Sequence, residues 1–350
     1  MLTLGIETSC DETGVAVTRG RHVLANVVTS SVHLHKKYGG VVPEIASRYH
    51  VEYIIEVLAE ALSRSKRPLE DIGLVAVTNG PGLVGALLTG ISAAKALSFG
   101  LGRPLVGVNH VLAHLYSAFL NEGPAPRFPF VGLVVSGGHT ALFLCEEVGR
   151  QRLLGQTQDD AVGEAFDKVA KLLGLGYPGG PVVEKAAMAS EGIHGIKFPK
   201  SYLGKDSLDF SFSGIKTAVL YYVRDRQRTE DRGQRTEKKN PKLGKDLVAD
   251  VCYAFQEAAL DALVEKTCLA AAMYGVKTVV VGGGVAANSR LREKLSQGAV
   301  FNNLEAHFPK KEYCLDNAAM VGFLGEELYK KGLRSDLYLS AEPNLEVCNA

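Results

Sequence analysis

No two cysteines in this sequence stand at redox or zinc-knuckle spacing. The six, Cys10, Cys145, Cys252, Cys268, Cys314 and Cys348, are scattered, which fits neither a CxxC site nor a disulfide framework. A reducing cytoplasm is the compartment this usage suggests. No basic segment followed by an apolar run opens the chain, so no secretory leader is read there. The longest uncharged stretch, Ile72 to Ala94, has the length to span a bilayer, but Asn79-Gly80-Pro81-Gly82 divides it into a strand and a helix. No membrane segment is therefore expected. Neither sign of charge dominates: 39 Lys and Arg against 38 Asp and Glu leave a net charge of +1, so a nucleic acid could be held only by a local basic patch. A GxxxxGK[ST] run is missing, which excludes a P-loop nucleotidase. The GxSxG elbow is missing too, so Ser136 is not read as a nucleophile.

What is present is a large apolar reserve. With 350 residues, 46% hydrophobic and 22% charged, the chain can bury an extensive core, and its length favours two lobes or domains. Alternation from Leu2 to Ile6, a polar turn over Ser9–Gly14, and Val15–Val17 spell a β-hairpin, with a third strand over Val23–Val28. Apolar residues at three- and four-residue steps predict a helix from about Ser47 to Ser63. Leu74–Val77 reads as a buried strand, Pro81–Gly85 as a turn and Leu87–Phe99 as a small-residue helix. The rhythm restarts at Phe130–Val135, turns on Ser136-Gly137-Gly138-His139-Thr140 and returns through Ala141–Leu144. A long helix over Val248–Ala272, a strand over Thr278–Val281 and a helix from Ser289 follow. The expected architecture is α/β, two similar lobes facing each other across a cleft. Arg224 to Lys245 stands apart: nine Lys and Arg, four Asp and Glu, and a near-repeat that starts at Gln227 and again at Gln234. With almost no apolar side chain it reads as a mobile basic loop, or more sharply as an accessory contact to RNA phosphates.

Two constellations could carry chemistry. His110 and His114, at i and i+4, share one helical face and can share a metal. Position 111 is Val, so the general-base carboxylate of HExxH zinc peptidases is missing and a peptidase is disfavoured. A third ligand must come from elsewhere; Asp316 is a candidate, its plainer role being a helix N-cap. The glycine turns at Ser136–Thr140 and Gly282–Asn288 are the second constellation. The first could bring backbone N–H groups to an anion, and the second could bed a nucleoside beside Asn288. Each could also be an ordinary tight connection. Asp11, Glu12, Asp167 and Glu184 are the carboxylates nearest these turns, and Asp11 could equally be an Asx-turn residue.

Taken jointly, these segments resemble one family, the bacterial-type tRNA N6-adenosine threonylcarbamoyltransferases. The resemblance is carried by Gly5–Thr13, Gly39–Glu44, Gly80–Leu83, the HxxxH at His110 and His114, and Val135–Thr140. Gly163–Lys168, Tyr177–Pro181, Asp209–Gly214, Gly282–Asn288 and Asp316-Asn317 extend it to about Lys331. It implies a two-lobed actin-like, sugar-kinase and Hsp70 (ribonuclease H-like) fold with an interlobe cleft. Residues 1–112 with about 316–340 would form one lobe and 113–315 the other. It also implies a cytoplasmic enzyme that moves the threonylcarbamoyl group from L-threonylcarbamoyladenylate to N6 of adenosine 37 in tRNAs reading ANN codons. By position, His110, His114 and Asp316 match the ligands of one divalent metal, Fe(2+) favoured and Zn(2+) possible. Val134, Val135, Ser136, Gly137 and Gly138 match the substrate loop, and Asp167, Gly180 and Asn288 further substrate contacts. Glu184 stands where relatives often carry Asp. Asp11 is the nominated proton acceptor.

By the same resemblance the partners are tRNA, a degenerate paralogue of the same fold and a small P-loop ATPase. The basic insertion is longer than the family pattern suggests, and the stretch after Ser340 shorter. Three other readings compete: an ATP-dependent small-molecule kinase of this fold, a metallopeptidase, and a catalytically silent nucleotide-binding scaffold. Two imidazoles argue against the kinase, because Mg²⁺ prefers oxygen ligands.

Overall fold

The computed structural model describes residues 1–35, 37–193, 195–200, 203–204, 206–233 and 243–347. The chain opens with β1 (Thr3–Glu7), β2 (Glu12–Arg19) and β3 (His22–Ser30), paired antiparallel with Leu4 opposite Val17 and Val15 opposite Val27. After α1 (Val32–His35) and α2 (Pro43–Ser65), β4 (Leu74–Gly80) returns parallel to β1. Helix α3 (Val84–Leu101) leads to β5 (Leu105–Asn109), parallel to β4, and the sheet runs β3-β2-β1-β4-β5.

Helix α4 (His110–Tyr116) then carries the chain to a second sheet. There β6 (Phe130–Val135), β7 (Thr140–Glu147) and β8 (Arg150–Gln156) are antiparallel, followed by α5 (Val162–Leu172), α6 (Gly179–Ala187), α7 (Ser213–Gly233) and α8 (Lys245–Tyr274). Strand β9 (Thr278–Gly282), α9 (Ser289–Phe301) and β10 (Glu305–His307) complete it in the order β10-β9-β6-β7-β8, and α10 (Ala318–Lys330) follows. In each sheet three antiparallel strands lie beside two parallel ones, so the restart read from the sequence at Phe130 is a true repetition of topology.

Both sheets are buried on both faces, which is why their strands read as apolar runs. Helices α2 and α3 cover the outer face of the first sheet, with Ile54, Val57, Leu87 and Ile91 packed on Ile6, Val15, Val17 and Val77. Helices α4 and α10 fill the space between the sheets, against Ala76 and Val108 on one side and Phe130, Val134 and Phe143 on the other. Helices α5 to α9 cover the outer face of the second sheet around Leu133, Val135, Phe166, Phe255 and Val281. Alternation along β6 thus sends Val134 inward and Val135 outward. Helix α3 alone among the described residues is long and apolar enough to cross a membrane; its Ala86, Leu87, Gly90, Ile91 and Ala94 stripe is buried against the sheet.

The structure corrects the reading of the basic stretch. Arg224 to Gly233 continue α7 rather than forming a loop, and Lys245 opens α8. Helix α7 is anchored by buried Ile215, Val219 and Val223, and once nucleated a helix adds one hydrogen bond per residue through good formers such as Arg, Gln and Glu. The remainder of the stretch, 234–242, lies outside the described residues. Two helices also begin earlier than expected. α2 starts at Pro43, where a fixed φ suits the first turn, and α3 starts at Val84. Past Ser340 the chain is anchored on the first sheet: the Glu342 N–H donates to Asn79 O at 2.8 Å, and the Gly82 N–H to Pro343 O at 3.1 Å.

Candidate metal centre and nucleotide site

The end of β5 sets the first imidazole. Asn109 caps α4 by accepting from the Leu112 N–H at 3.1 Å, which makes His110 the first helical residue and places His114 one turn on. The end of β9 fixes the other end of α4: a Cβ on Gly282 would lie 2.2 Å from the His114 carbonyl oxygen, so only glycine permits this approach. Asp316 arrives from the opposite side, just before α10. The N-cap of that helix is Asn317, whose Oδ1 accepts from the Met320 N–H at 3.0 Å. The capping role that the sequence left open for Asp316 thus belongs to its neighbour, and the Asp316 carboxylate is left facing the imidazoles.

Asp316 Oδ1 lies 3.2 Å from His114 Nε2 and 3.7 Å from His110 Nε2. The two rings cross edge to face, their centroids 4.7 Å apart. One ligand atom from each of the three residues lies within 4.8 Å of the others, in a site where both imidazoles are buried. Neither ring nitrogen of His114 has a hydrogen bond although both are buried; the Asp316 contact lacks the geometry for one. Buried polar atoms without partners are rare because each forfeits its hydration. A cation among the three would satisfy the orphaned nitrogen, and two imidazoles with one carboxylate suit Fe(2+) or Zn(2+). The residues therefore fit a resident metal.

The electrostatics point the same way. Burial opposes protonation of His110, but the carboxylates of Asp316 and Glu7 outweigh it and push its pKa up to about 9. Burial likewise disfavours the charged form of Asp316, and His110 and His114 hold it far below the usual carboxylate range. Nearby, burial together with Asp316 and Asp11 raises Glu12 well above its ordinary value. His139 is kept neutral, its pKa lowered to about 4 by burial and by the two metal-site imidazoles. With no metal ion bound, the proton on His110 is what balances the Asp316 and Glu7 carboxylates in this buried place.

Beside this centre lies the turn between β6 and β7. It is closed by the Ser136 N–H donating to His139 O at 2.8 Å and the His139 N–H donating to Ser136 Oγ at 3.1 Å. Gly137 and Gly138 are exposed, with open space where side chains would stand. The first turn of α5 packs directly on it: a Cβ on Gly163 would come within 2.6 Å of Ser136 O. The N-cap residue of α5, Ala161, has no side chain able to cap it; the Val162 N–H instead donates to Thr140 Oγ1 at 2.9 Å, which ties the positive end of α5 to the turn. Val134 and Val135 themselves are core side chains; only their main chain, at the end of β6, could meet a ligand.

The remaining candidates form a linked row. Asp167 on α5 accepts from the Gly179 N–H at 2.6 Å and so fixes the start of α6, where Gly180 lies. Glu184 on α6 accepts from the Ser289 N–H at 2.8 Å. Asn288 caps α9 through the Leu291 N–H at 2.9 Å and donates to Gln256 Oε1 at 2.9 Å. Asp11, buried in the turn just before β2, approaches from the first sheet; its main-chain oxygen accepts from the Ser31 N–H and hydroxyl. Tyr177, before α6, has its pKa raised by burial and by the charges of Asp167 and Asp11. Sequence reasoning passed over Glu7 and Thr78, which stand behind His110. The local signals were a carboxylate ending a buried strand, Thr3-Leu4-Gly5-Ile6-Glu7, and its place inside the Gly5–Thr13 segment.

Comparison with known proteins now decides the lineage. The sequence profile of the tRNA N6-adenosine threonylcarbamoyltransferases matches residues 22–323. The chain belongs to this family. The enzyme of that name from Dictyoglomus turgidum is 49% identical over 347 residues, covering 99% of this chain and 98% of its own. The one from Symbiobacterium thermophilum is 52% identical over 345 residues, covering 98% and 96%. Among solved structures, HypF of T. kodakarensis aligns with a TM-score of 0.61 at 15% identity, over 95% of this chain and 48% of that one. Full-length HypF in a phosphate- and nucleotide-bound form gives 0.60 at 14% identity, covering 94% and 46%. At such identities the likeness speaks for the fold alone, the two-lobed actin-like and sugar-kinase architecture. In this member of the family, a transferase by its lineage, His110, His114 and Asp316 come together between the two sheets.

Proposed function

We propose that this chain transfers the threonylcarbamoyl group of L-threonylcarbamoyladenylate to N6 of adenosine 37 in tRNAs reading ANN codons, forming t6A and releasing AMP. The observation that carries the proposal is the convergence of His110, His114 and Asp316, with an orphaned buried imidazole, beside an open glycine turn in a chain of this family. Those three residues would hold a divalent ion, Fe(2+) or Zn(2+), which supplies Lewis acidity at the acyl carbonyl.

The chain's own groups do the rest. An acyl adenylate is already activated, so orientation and charge stabilisation supply most of what the reaction needs. The exposed main chain of Gly137 and Gly138, beside the N-terminus of α5, suits the adenylate phosphate. Ser136 holds that turn in shape, and the ends of Val134 and Val135 line its floor. Asp167, Gly180, Glu184 and Asn288 offer a row of polar groups and open backbone to the nucleoside. N6 attacks the carbonyl carbon, a C–N bond forms, the bond to the phosphate oxygen breaks, and the N6 proton passes to Asp11. Residues 1–112 with 316–340, and 113–315, are the two halves that meet at this site. A degenerate paralogue of the same fold and a small P-loop ATPase are the expected partners, in the cytoplasm.

The test is reconstitution: threonine, bicarbonate, ATP, the adenylate-forming enzyme, tRNA and the partner proteins, with wild-type chain or His110→Ala, followed by nucleoside mass spectrometry. The proposal expects t6A only with the wild type. Phosphorylation of a small molecule without t6A would favour the kinase reading instead.

A further inference from the structure

Glu7 is fully buried at the end of β1, and its hydrogen bonds leave it little freedom. Its Oε1 accepts from the Ser9 N–H at 2.6 Å. Its Oε2 accepts from the Thr78 hydroxyl, on the neighbouring strand β4, at 2.6 Å. The same Oε2 lies 3.1 Å from His110 Nδ1, and Ser9 Oγ stands at 3.1 Å from that nitrogen as well. The opposite ring nitrogen, Nε2, faces Asp316.

We infer that Glu7 is a positioning residue that holds His110 as the Nδ1–H tautomer, leaving the Nε2 lone pair free for the metal; this rests on His110 being a ligand. The Ser9 N–H can only donate, so Oε1 must be an acceptor. Were Nδ1 unprotonated, its lone pair would confront an Oε2 lone pair at 3.1 Å in an interior with no water to separate them. A proton on Nδ1 turns that repulsion into a charge-assisted hydrogen bond. The carboxylate also fixes the ring plane, because Ser9 and Thr78 hold both of its oxygens. Histidines that bind metals commonly depend on such a partner, whose loss weakens metal binding roughly 10- to 100-fold.

Glu7→Gln separates this role from simple space filling. The Ser9 N–H keeps the amide oxygen on its own side and turns the NH₂ group toward Thr78 and His110. The NH₂ group then faces Nδ1 as a donor, which favours the proton on Nε2 at the expense of the coordinating lone pair; only Ser9 Oγ, at 3.1 Å, is left to accept from Nδ1–H. Co²⁺ is titrated into metal-stripped wild type and Glu7→Gln, following the d–d absorption, with thermal melts to verify folding. The inference expects roughly 10- to 100-fold weaker Co²⁺ binding and an altered d–d spectrum in the folded variant. Equal affinity with the same spectrum overturns it while the metal centre stands; no Co²⁺ binding by wild type overturns both. Should Glu7→Gln not fold, Zn²⁺-loaded wild type with ¹⁵N-labelled histidine decides. The inference expects His110 with a protonated Nδ1 and a metal-bound Nε2, and the reverse assignment refutes it.

Discussion

Replacing Gly282 with Ala perturbs the centre without removing any of its ligands. The added methyl would lie 2.2 Å from O and 2.4 Å from C of His114, and 2.8 Å from the Leu115 nitrogen. All three are main-chain atoms, so no rotamer change can relieve the clash. Ordinary contact begins at about 3.5 Å, so something must move by roughly 1 Å. Strand β9 is pinned between β6 and β10, whereas α4 has only seven residues, so α4 moves and carries His114 with it. Overpacking of this kind costs about 1–3 kcal/mol, a fall in Tm of a few degrees. A displacement of roughly 1 Å at a reacting centre is worth about 100-fold in rate. The assay pairs calorimetric Zn²⁺ titration with t6A formation in the reconstituted system, on protein shown to be folded. Gly138→Ala is the stability control, because open space surrounds that position and its stability should shift by no more than about 0.5 kcal/mol. A folded Gly282→Ala chain with unchanged Zn²⁺ affinity and unchanged t6A formation would refute the reasoning that the β9 terminus places His114.

Other consequences can be checked separately. Asp11→Asn should abolish or severely slow single-turnover transfer from preformed adenylate, roughly 100-fold or more, while leaving Zn²⁺ binding intact; full transfer would remove its role as proton acceptor. Glu326 is buried. Burial works against its charge, yet the Gly20 N–H and the Lys330 ammonium outweigh that and hold its pKa below 4.5. A lowered folded-state pKa contributes stability above the unfolded value and loses it as the pH falls through the folded one. Glu326→Gln should therefore cost about 1–3 kcal/mol in urea melts at pH 7, and the gap to wild type should narrow below pH 4.5. Arg21, on the β2–β3 hairpin, donates to the carbonyls of Phe119, Asn121 and Gly123 in the segment joining the two sheets. Arg21→Ala should lower stability by about 2 kcal/mol and speed amide exchange around Phe119; unchanged exchange would show that this clamp does not hold the junction.

Much of the architecture was legible because its signals are local. The hairpin alternation at Leu2–Val17, the glycine turns and the helical spacing of α8 each lie within one short window. The repetition of the fold was legible because β6 and β7 copy the patterning of β1 and β2. Arg224 to Gly233 were misread because composition describes a segment in isolation, whereas this helix is nucleated upstream at buried Ile215 and Val219. The HxxxH pair was visible as a spacing, but the freedom of Asp316 was not, since it depends on Asn317 taking the cap. Glu7, Ser9 and Thr78 were invisible as a group for the same reason: Thr78 meets Glu7 only because β4 pairs with β1 across 71 positions of sequence.

The most direct test of the central claim is metal content measured alongside t6A synthesis in wild type and His114→Ala, after stripping and reloading with Fe²⁺ or Zn²⁺ under oxygen-free conditions. The account predicts one ion per wild-type chain, none in folded His114→Ala, and t6A from the wild type alone. A His114→Ala chain that retains its ion and makes t6A at the wild-type rate would contradict it.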